Sequence, residues 1–192
     1  MLAGPLTTSE LLTRAAAEDV DRPAHYLLAA AAMNRLVTGE LVMAGTAAAF
    51  IHTGIASGGP IALIGRLALR DGDRLARAGF MNEGDVLVHH RGRSVLEFTI
   101  SRPIGDFLKA PTRFEIAGVG VPVLSTTDLM LERLVDALAG TSADWEQVGH
   151  LAVSTRLTVD WPRLHERAVA MAADRSFTDL PGCVETFAAL AR

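Results

Sequence analysis

Six short apolar runs of strand length lie in the middle of the chain, and helical patterns precede, interrupt and follow them. Each run is shorter than a typical helix and is bounded by glycine, proline or polar residues, which is typical of buried strands. The runs are Glu40–Ala44, Ile61–Ile64, Val86–His89, Ser94–Ile100, Arg113–Ala117 and Val121–Leu124. Because strands become stable only when they pair and are covered, this order predicts an α/β (α+β) fold with a mixed central sheet flanked by helices.

The helical segments are marked by their ends. Thr7 and Glu10 have the spacing of a capping box, Pro23 suits a first helical turn, and Gly140 suits a helix end. The predicted helices run from Thr7 to about Asp19, from His25 to Leu36, from Ala47 to His52, over most of Arg66–Ala78, from Ser125 to Gly140, from about Ala143 to Val153, from Asp160 to about Ala173, and onward from Pro181. We therefore expect a core over residues 1–124, and a C-terminal helical extension over residues 125–192 that packs on it as one compact unit.

Composition narrows the class of protein. Of the 192 residues, 49% are hydrophobic and 21% are charged, as in a packed domain rather than a disordered chain. The formal net charge of −4 gives no overall positive field for a nucleic acid, and a single cysteine cannot form an internal disulfide. The N-terminal segment lacks a basic n-region, and polar residues interrupt the apolar stretch Leu41–Gly65, so we expect a cytoplasmic protein with no membrane partner. The alanine-rich helix at His25–Met33 could pack within the chain or against a second copy, which leaves a homo-oligomer open.

The sequence lacks several common catalytic motifs. The glycine-rich loop Gly54–Pro60 has no lysine and no P-loop spacing, so it predicts a connecting loop. His89 and His90 are neighbours on a predicted strand and point to opposite faces, so they cannot bind one metal ion together. Cys183 has no histidine near it in the sequence and is interpreted as a small buried hydrophobic residue.

Two sets of side chains could form a binding surface. A helical spacing of i, i+4, i+8 and i+11 places four arginines on one predicted helix face: Arg66, Arg70, Arg74 and Arg77. Asp71 and Asp73 lie among them, which favours a solvated face over a surface for RNA, DNA or an acidic partner. Trp145 and Trp161 begin predicted helices next to apolar residues, which favours core packing over a stacking platform.

Several segments, taken in order, resemble the minimal nucleotidyltransferase fold of the DNA polymerase beta-type superfamily. Leu41–Gly54 is similar to its first strand, its Gly-Gly or Gly-Ser turn and the helix that follows. Leu75–Phe80 resembles the helix and Gly-Phe turn after the second strand, and Val95–Ile100 resembles the strand that bears the third carboxylate. The C-terminal helices resemble those of a bacterial branch that includes AbiEii-type toxins, on the segments Val123–Leu134, Ala143–Val148 and Val159–Trp161.

This resemblance implies a chemistry with three carboxylates, two Mg²⁺ ions and a nucleoside triphosphate. Gly45 and Thr46 would present backbone N–H groups to the phosphates at a helix N-terminus. Arg133 stands where relatives often have a lysine for the triphosphate, and Asp144 matches a position that is often acidic. These four residues are therefore the expected nucleotide-binding set.

The carboxylates that should hold the metal ions are incomplete. Glu97 matches the third position, but Pro60 and Ala62 stand where the resemblance places an Asp-x-Asp pair on the second strand. Neither proline nor alanine can bind a metal ion, and one carboxylate cannot hold two ions. Asp71 and Asp73 have the Asp-x-Asp form a few residues further on, in a segment that is interpreted as a polar turn or helix start.

Two functions follow from these residues. In the first, the chain keeps a nucleotidyltransferase-like scaffold, has lost the metal site, and acts as a binding or partner protein. In the second, it is an active Mg-dependent nucleotidyltransferase that uses Glu97, Asp71 and Asp73 to transfer a nucleoside monophosphate to a protein, an RNA or a small molecule. The toxin-like resemblance adds a role in a toxin–antitoxin or defence pair, with a protein or RNA partner.

Overall fold

A computed structural model describes residues 6–55, 59–102, 110–141, 143–173 and 177–192. The helices are α1 (Thr8–Ala17), α2 (Pro23–Leu36), α3 (Gly45–Thr53), α4 (Leu69–Arg77), α5 (Thr126–Ala139), α6 (Trp145–Ser154), α7 (Trp161–Ala173) and α8 (Leu180–Leu190). The strands are β1 (Val42–Met43), β2 (Ile61–Ile64), β3 (Phe80–Glu83), β4 (Val86–Arg91), β5 (Ser94–Ser101), β6 (Thr112–Ile116) and β7 (Val119–Val123). The chain divides into two compact units, Met1–Leu124 and Ser125–Arg192.

The strands form one mixed sheet in the order β3-β4-β5-β2-β1-β7-β6, which confirms the predicted mixed central sheet. Its centre is defined by β2, which runs parallel to β5 and antiparallel to β1. Sequence reasoning missed β3, because Phe80 alone among its four residues is buried and no alternating pattern marks the strand. Pairing with β4, which sets Phe80 opposite His89, forms it instead.

The N-terminal helices of the first unit follow the sequence pattern closely. The predicted capping box is present, since the Thr7 backbone N–H donates to Glu10 Oε2 at 2.6 Å and the Glu10 N–H donates to Thr7 Oγ1 at 3.3 Å. In α2, every residue from His25 to Met33 is buried. This helix is therefore covered within its own unit, so its alanines present no surface to a second copy of the chain.

The arginine face is shorter than the sequence predicted. Because α4 begins at Leu69, Arg66 lies before the helix and is not on a face with Arg70, Arg74 and Arg77. The side chains of these three helical arginines are exposed. The exposure of Arg70, Arg74 and Arg77 agrees with the prediction that this face of α4 is solvated.

The second unit contains the four C-terminal helices. Ser125 caps α5 by accepting from the Asp128 N–H at 3.1 Å, and Gly140 ends the helix with a φ of 64°, as its position predicted. The prediction for Trp145 was wrong: its side chain is 45% exposed and stacks on Phe187 with ring centroids 6.1 Å apart. It forms part of the surface rather than of the core.

Two connecting segments extend beyond what the structure describes: the predicted loop Gly54–Pro60 and the segment between the predicted strands Ser94–Ile100 and Arg113–Ala117. Residues 56–58 of the first segment and residues 103–109 of the second lie outside the described residues. Within the described ranges, no helix combines the length and the apolar character needed to cross a bilayer.

Candidate functional site

A tight turn joins β1 to α3 at Gly45. The φ of Gly45 is +59°, a left-handed conformation that favours glycine, and the turn leads directly into the first turn of the helix. The Ala44 backbone N–H donates to the Ala62 carbonyl oxygen at 2.9 Å, which holds the turn against β2. A Cβ added at Gly45 would come within 3.1 Å of the Ala62 Cβ, so Gly45 and Ala62 are in close contact.

The residues of β2 alternate between two faces of the sheet. Ile61 and Leu63 point into the core and are 2% and 0% exposed, whereas Pro60 and Ala62 belong to the opposite, half-buried face. That second face carries the positions where the resemblance places an Asp-x-Asp pair. A proline and an alanine occupy them, so this part of the turn has no metal ligand.

Glu97 lies on the same face, on the neighbouring strand. The pairs Ile61–Phe98 and Ala62–Thr99 fix the register of β2 and β5, which places Glu97 beside Pro60 and Thr99 beside Ala62. The Glu97 side chain is exposed, and none of the hydrogen bonds or ion pairs found among the described residues involves it. The register thus brings together the three positions of the expected carboxylate set, of which Glu97 alone has a carboxylate.

The donor set at the Gly45 turn does not fit two magnesium ions. Mg²⁺ prefers carboxylate oxygens in near-octahedral geometry, and a two-metal site needs several of them at close range. Among the described side chains of His, Cys, Asp and Glu, no group of three is arranged to hold a metal ion. We therefore derive no chemical step through a metal at this turn.

The Asp71 carboxylate is buried and held by hydrogen bonds within the fold. It lies in the first turn of α4 and is 0% exposed, and its Oδ1 accepts from the Thr38 N–H at 3.0 Å and from Thr38 Oγ1 at 2.7 Å. Its Oδ2 accepts from the Ala68 N–H at 2.7 Å. The pKa of Asp71 is lowered, chiefly by the Thr38 side-chain bond; burial opposes this effect, and the backbone bonds from Ala68 and Thr38 add to it. Asp71 thus ties α4 to the segment after α2, while Asp73, two residues on, is exposed.

Arg133 and Asp144 lie in the second unit. Arg133 is 3% exposed, and its guanidinium donates to Asp136 Oδ2 at 3.3 Å and to Gln147 Oε1 at 3.1 Å. Asp144 is the N-cap of α6 and accepts from the Gln147 N–H at 2.7 Å. Both side chains therefore contribute to the packing of α5 against α6, and their role toward a nucleotide stays a prediction.

A cavity at the other end of β2 was not identified from the sequence. It has a volume of about 500 Å³ and is lined, among the described residues, by Gly65, Arg66, Leu67, Ile100, Ser101 and Arg102. Sequence reasoning assigned Arg66 to the α4 face because of its helical spacing. A hint was present in the sequence, since both Arg66 and Arg102 follow closely on apolar strand runs.

The remaining candidates have simpler environments. His89 is 3% exposed and His90 is exposed, which confirms that the two rings point to opposite faces. Burial raises the pKa of the Cys183 thiol, and the nearby charge of Asp179 raises it further. A raised pKa leaves less thiolate at neutral pH, so Cys183 is a poor nucleophile.

Two histidines of the first unit have a lowered pKa. Burial lowers the pKa of His52, although its Nε2 donates to the Leu124 carbonyl oxygen at 2.8 Å. Burial also lowers the pKa of His89, and the positive charges of Arg91 and His90 add to this effect. The Nδ1 atom of His89 is buried and has no hydrogen-bond partner among the described residues.

These histidines predict a loss of stability in mild acid. A histidine whose pKa is lowered on folding takes up its proton first in the unfolded chain, so the free energy of unfolding falls as the pH drops below about 6.5. We expect Tm to be lower at pH 5 than at pH 7.5, measured by circular dichroism. The His52→Gln and His89→Gln variants should each show a smaller pH dependence, and a Tm that is unchanged or higher at pH 5 would contradict the prediction.

The comparisons with known proteins bear on the fold. No protein-family model matches the chain, and no curated protein matches it. Among solved structures, an antigenic nucleotidyltransferase-like protein from Paracoccidioides brasiliensis is similar over 95% of this chain and 95% of its own, with 14% identity and a TM-score of 0.52. The structure of ANT(2")-Ia in complex with adenylyl-2"-tobramycin aligns over 84% of this chain and 94% of its own, with 17% identity and a TM-score of 0.38. The first of these, together with the mixed sheet and its helices, shows that the chain has a nucleotidyltransferase-like fold.

Proposed function

We propose that this chain uses a nucleotidyltransferase-like scaffold for binding rather than for metal-dependent nucleotidyl transfer. The observation that carries the proposal is the contact between Gly45 and Ala62. In an active site of the kind the resemblance implies, a metal-binding carboxylate would stand at that position on β2. Here a methyl group stands there, and Pro60 occupies the companion position on the same face.

The environment of Asp71 also favours a binding role. For an active enzyme built on Glu97, Asp71 and Asp73, the Asp71 carboxylate would have to leave three hydrogen bonds with Thr38 and Ala68. A buried carboxylate with both oxygens engaged by backbone and hydroxyl donors is stable where it is, and moving it away would give up all three of these bonds. The binding partner that this proposal implies, protein or RNA, and a role in a toxin–antitoxin or defence pair, rest on the resemblance of the C-terminal helices to AbiEii-type proteins.

The test is the Tm of the purified chain with each nucleoside triphosphate, with and without Mg²⁺ or Mn²⁺. A ligand at 100 times its Kd stabilises a protein by about 2.7 kcal/mol, which raises Tm by several degrees. We expect that adding the metal to the nucleotide produces no further increase in Tm. A metal-dependent increase that is lost in the Glu97→Gln variant would overturn the proposal and favour the active enzyme.

A double variant serves as the positive control. Replacing Pro60 and Ala62 by aspartate restores the missing carboxylates beside Glu97 on one face of the sheet. If the face is otherwise intact, this variant should gain a Mn²⁺-dependent increase in Tm that the natural chain lacks. Failure of the variant to fold leaves the measurement on the natural chain decisive.

A further inference from the structure

The cavity lined by Arg66 and Arg102 lies at the carboxyl ends of two parallel strands. The Ile64–Ser101 pair ends the ladder between β2 and β5, and the Gly65 N–H donates to the Ser101 carbonyl oxygen at 2.9 Å just beyond it. The chain then leaves the sheet on both strands at neighbouring positions. Arg66 and Arg102 thus follow the ends of neighbouring strands, about 4.8 Å apart, and both line one cavity.

Among the residues that the structure describes, the two arginines have no acidic partner. No carboxylate is among the described residues that line the cavity, and neither Arg66 nor Arg102 forms an ion pair with any residue that the structure describes. Arg113, by contrast, pairs with Glu40 in the same unit. Asp71, five residues after Arg66, already accepts hydrogen bonds on both of its oxygens. Two positive charges at one cavity repel each other unless an anion binds between them.

The donors at the cavity match a phosphate group. Guanidinium groups bind phosphate oxygens through paired N–H donors, and the hydroxyl of Ser101 adds a further donor. A phosphomonoester carries a charge of about −1.5 to −2 at pH 7 and three acceptor oxygens, whereas a carboxylate carries a single charge and two. The apolar side chains of Leu67 and Ile100 also line the cavity, and they offer contact to an organic group beside the phosphate.

We propose that this cavity is a binding site for a small organic phosphomonoester, with Arg66, Arg102 and Ser101 holding the phosphate and Leu67 and Ile100 contacting the organic group. The site lies apart from the Gly45 turn, because Gly65 is three positions beyond Ala62 along the strand, about 10 Å. It does not depend on a metal ion or on the function proposed above.

Isothermal titration calorimetry with phenyl phosphate, inorganic phosphate and benzoate, in the presence of EDTA, tests the site. Phenyl phosphate should bind most tightly, and the Arg66→Gln and Arg102→Gln variants should each bind it about tenfold more weakly. Arg93→Gln is the matched control, since Arg93 is an exposed arginine in the turn between β4 and β5 and should bind like the natural chain. Raising the salt concentration should weaken binding, as expected for an exposed charged site.

The outcomes separate this site from the proposed function. The proposed site would be wrong if phenyl phosphate bound equally well to the natural chain and to the Arg66→Gln/Arg102→Gln double variant. It would also be wrong if phenyl phosphate did not bind to the natural chain. Benzoate or inorganic phosphate binding as tightly as phenyl phosphate would overturn the assignment to a phosphomonoester. A second readout is modification by phenylglyoxal, from which phenyl phosphate should protect Arg66 and Arg102 but not Arg93. Metal-dependent nucleotide binding that survives in the double variant would overturn the proposed function and leave this site standing.

Discussion

Replacing Arg167 with methionine is expected to lower the free energy of unfolding by about 3–5 kcal/mol, because it leaves a buried carboxylate without its partner. Arg167 on α7 donates to Asp128 on α5, and the Asp128 side chain is 2% exposed. Asp128 also accepts from Ser125 Oγ at 2.7 Å, but a neutral hydroxyl does not balance its charge. Urea denaturation of the natural chain and the variant, followed by circular dichroism, measures the difference.

Two further variants isolate the ion pair from other effects. Arg163→Met removes an exposed arginine from the same helix and should change the free energy of unfolding by no more than about 0.5 kcal/mol. In the double variant Asp128→Asn/Arg167→Met the uncompensated charge is gone, so part of the lost stability should return. If Arg167→Met lowers the free energy of unfolding no more than Arg163→Met does, the Arg167–Asp128 ion pair does not stabilise the packing of α5 against α7.

Helix ends were predictable because their chemistry is local. The capping box at Thr7 and the left-handed Gly140 each depend on residues within one helical turn, and both occur where the sequence places them. The first strand shows the limit of local reasoning, since β1 is shorter than the apolar run that predicted it. The Leu41 N–H donates to Asn34 Oδ1 at 2.7 Å, and Asn34 Nδ2 donates to the Leu41 carbonyl oxygen at 2.8 Å. Because both backbone groups of Leu41 are engaged by this side chain, strand pairing begins at the next residue, Val42.

The candidate sites depended on contacts that are distant in the sequence. The alternation along β2 indicates which residues share a face, but the register that places Glu97 beside Pro60 joins segments more than thirty residues apart. Helical spacing had assigned Arg66 to the α4 face, whereas the ends of β2 and β5 bring it to one cavity with Arg102. Asp71 illustrates the reverse case: its Asp-x-Asp form resembles a metal ligand, and its engagement with Thr38 becomes visible only in the folded chain.

Phe98→Ala is expected to lower the free energy of unfolding by about 3–5 kcal/mol, because it opens a cavity in the core. Phe98 is 0% exposed, and its ring lies 5.7 Å from that of Phe80. It stands between Leu87 on β4 and Ile61 on β2. Chemical denaturation measures the loss, and Phe98→Leu, which keeps most of the apolar volume, should lose much less.

The neighbouring residue makes this variant a test of the register as well as of the core. Glu97 is exposed on the opposite face, so Glu97→Ala should change the free energy of unfolding by no more than about 0.5 kcal/mol. A slip of β5 by one residue would exchange the two faces, bury Glu97 and expose Phe98. Such a slip would also separate Glu97 from Pro60 and shift Arg102 relative to Arg66. A large loss for Glu97→Ala with a small one for Phe98→Ala would therefore remove the geometric basis of both the Gly45 turn and the phosphate cavity.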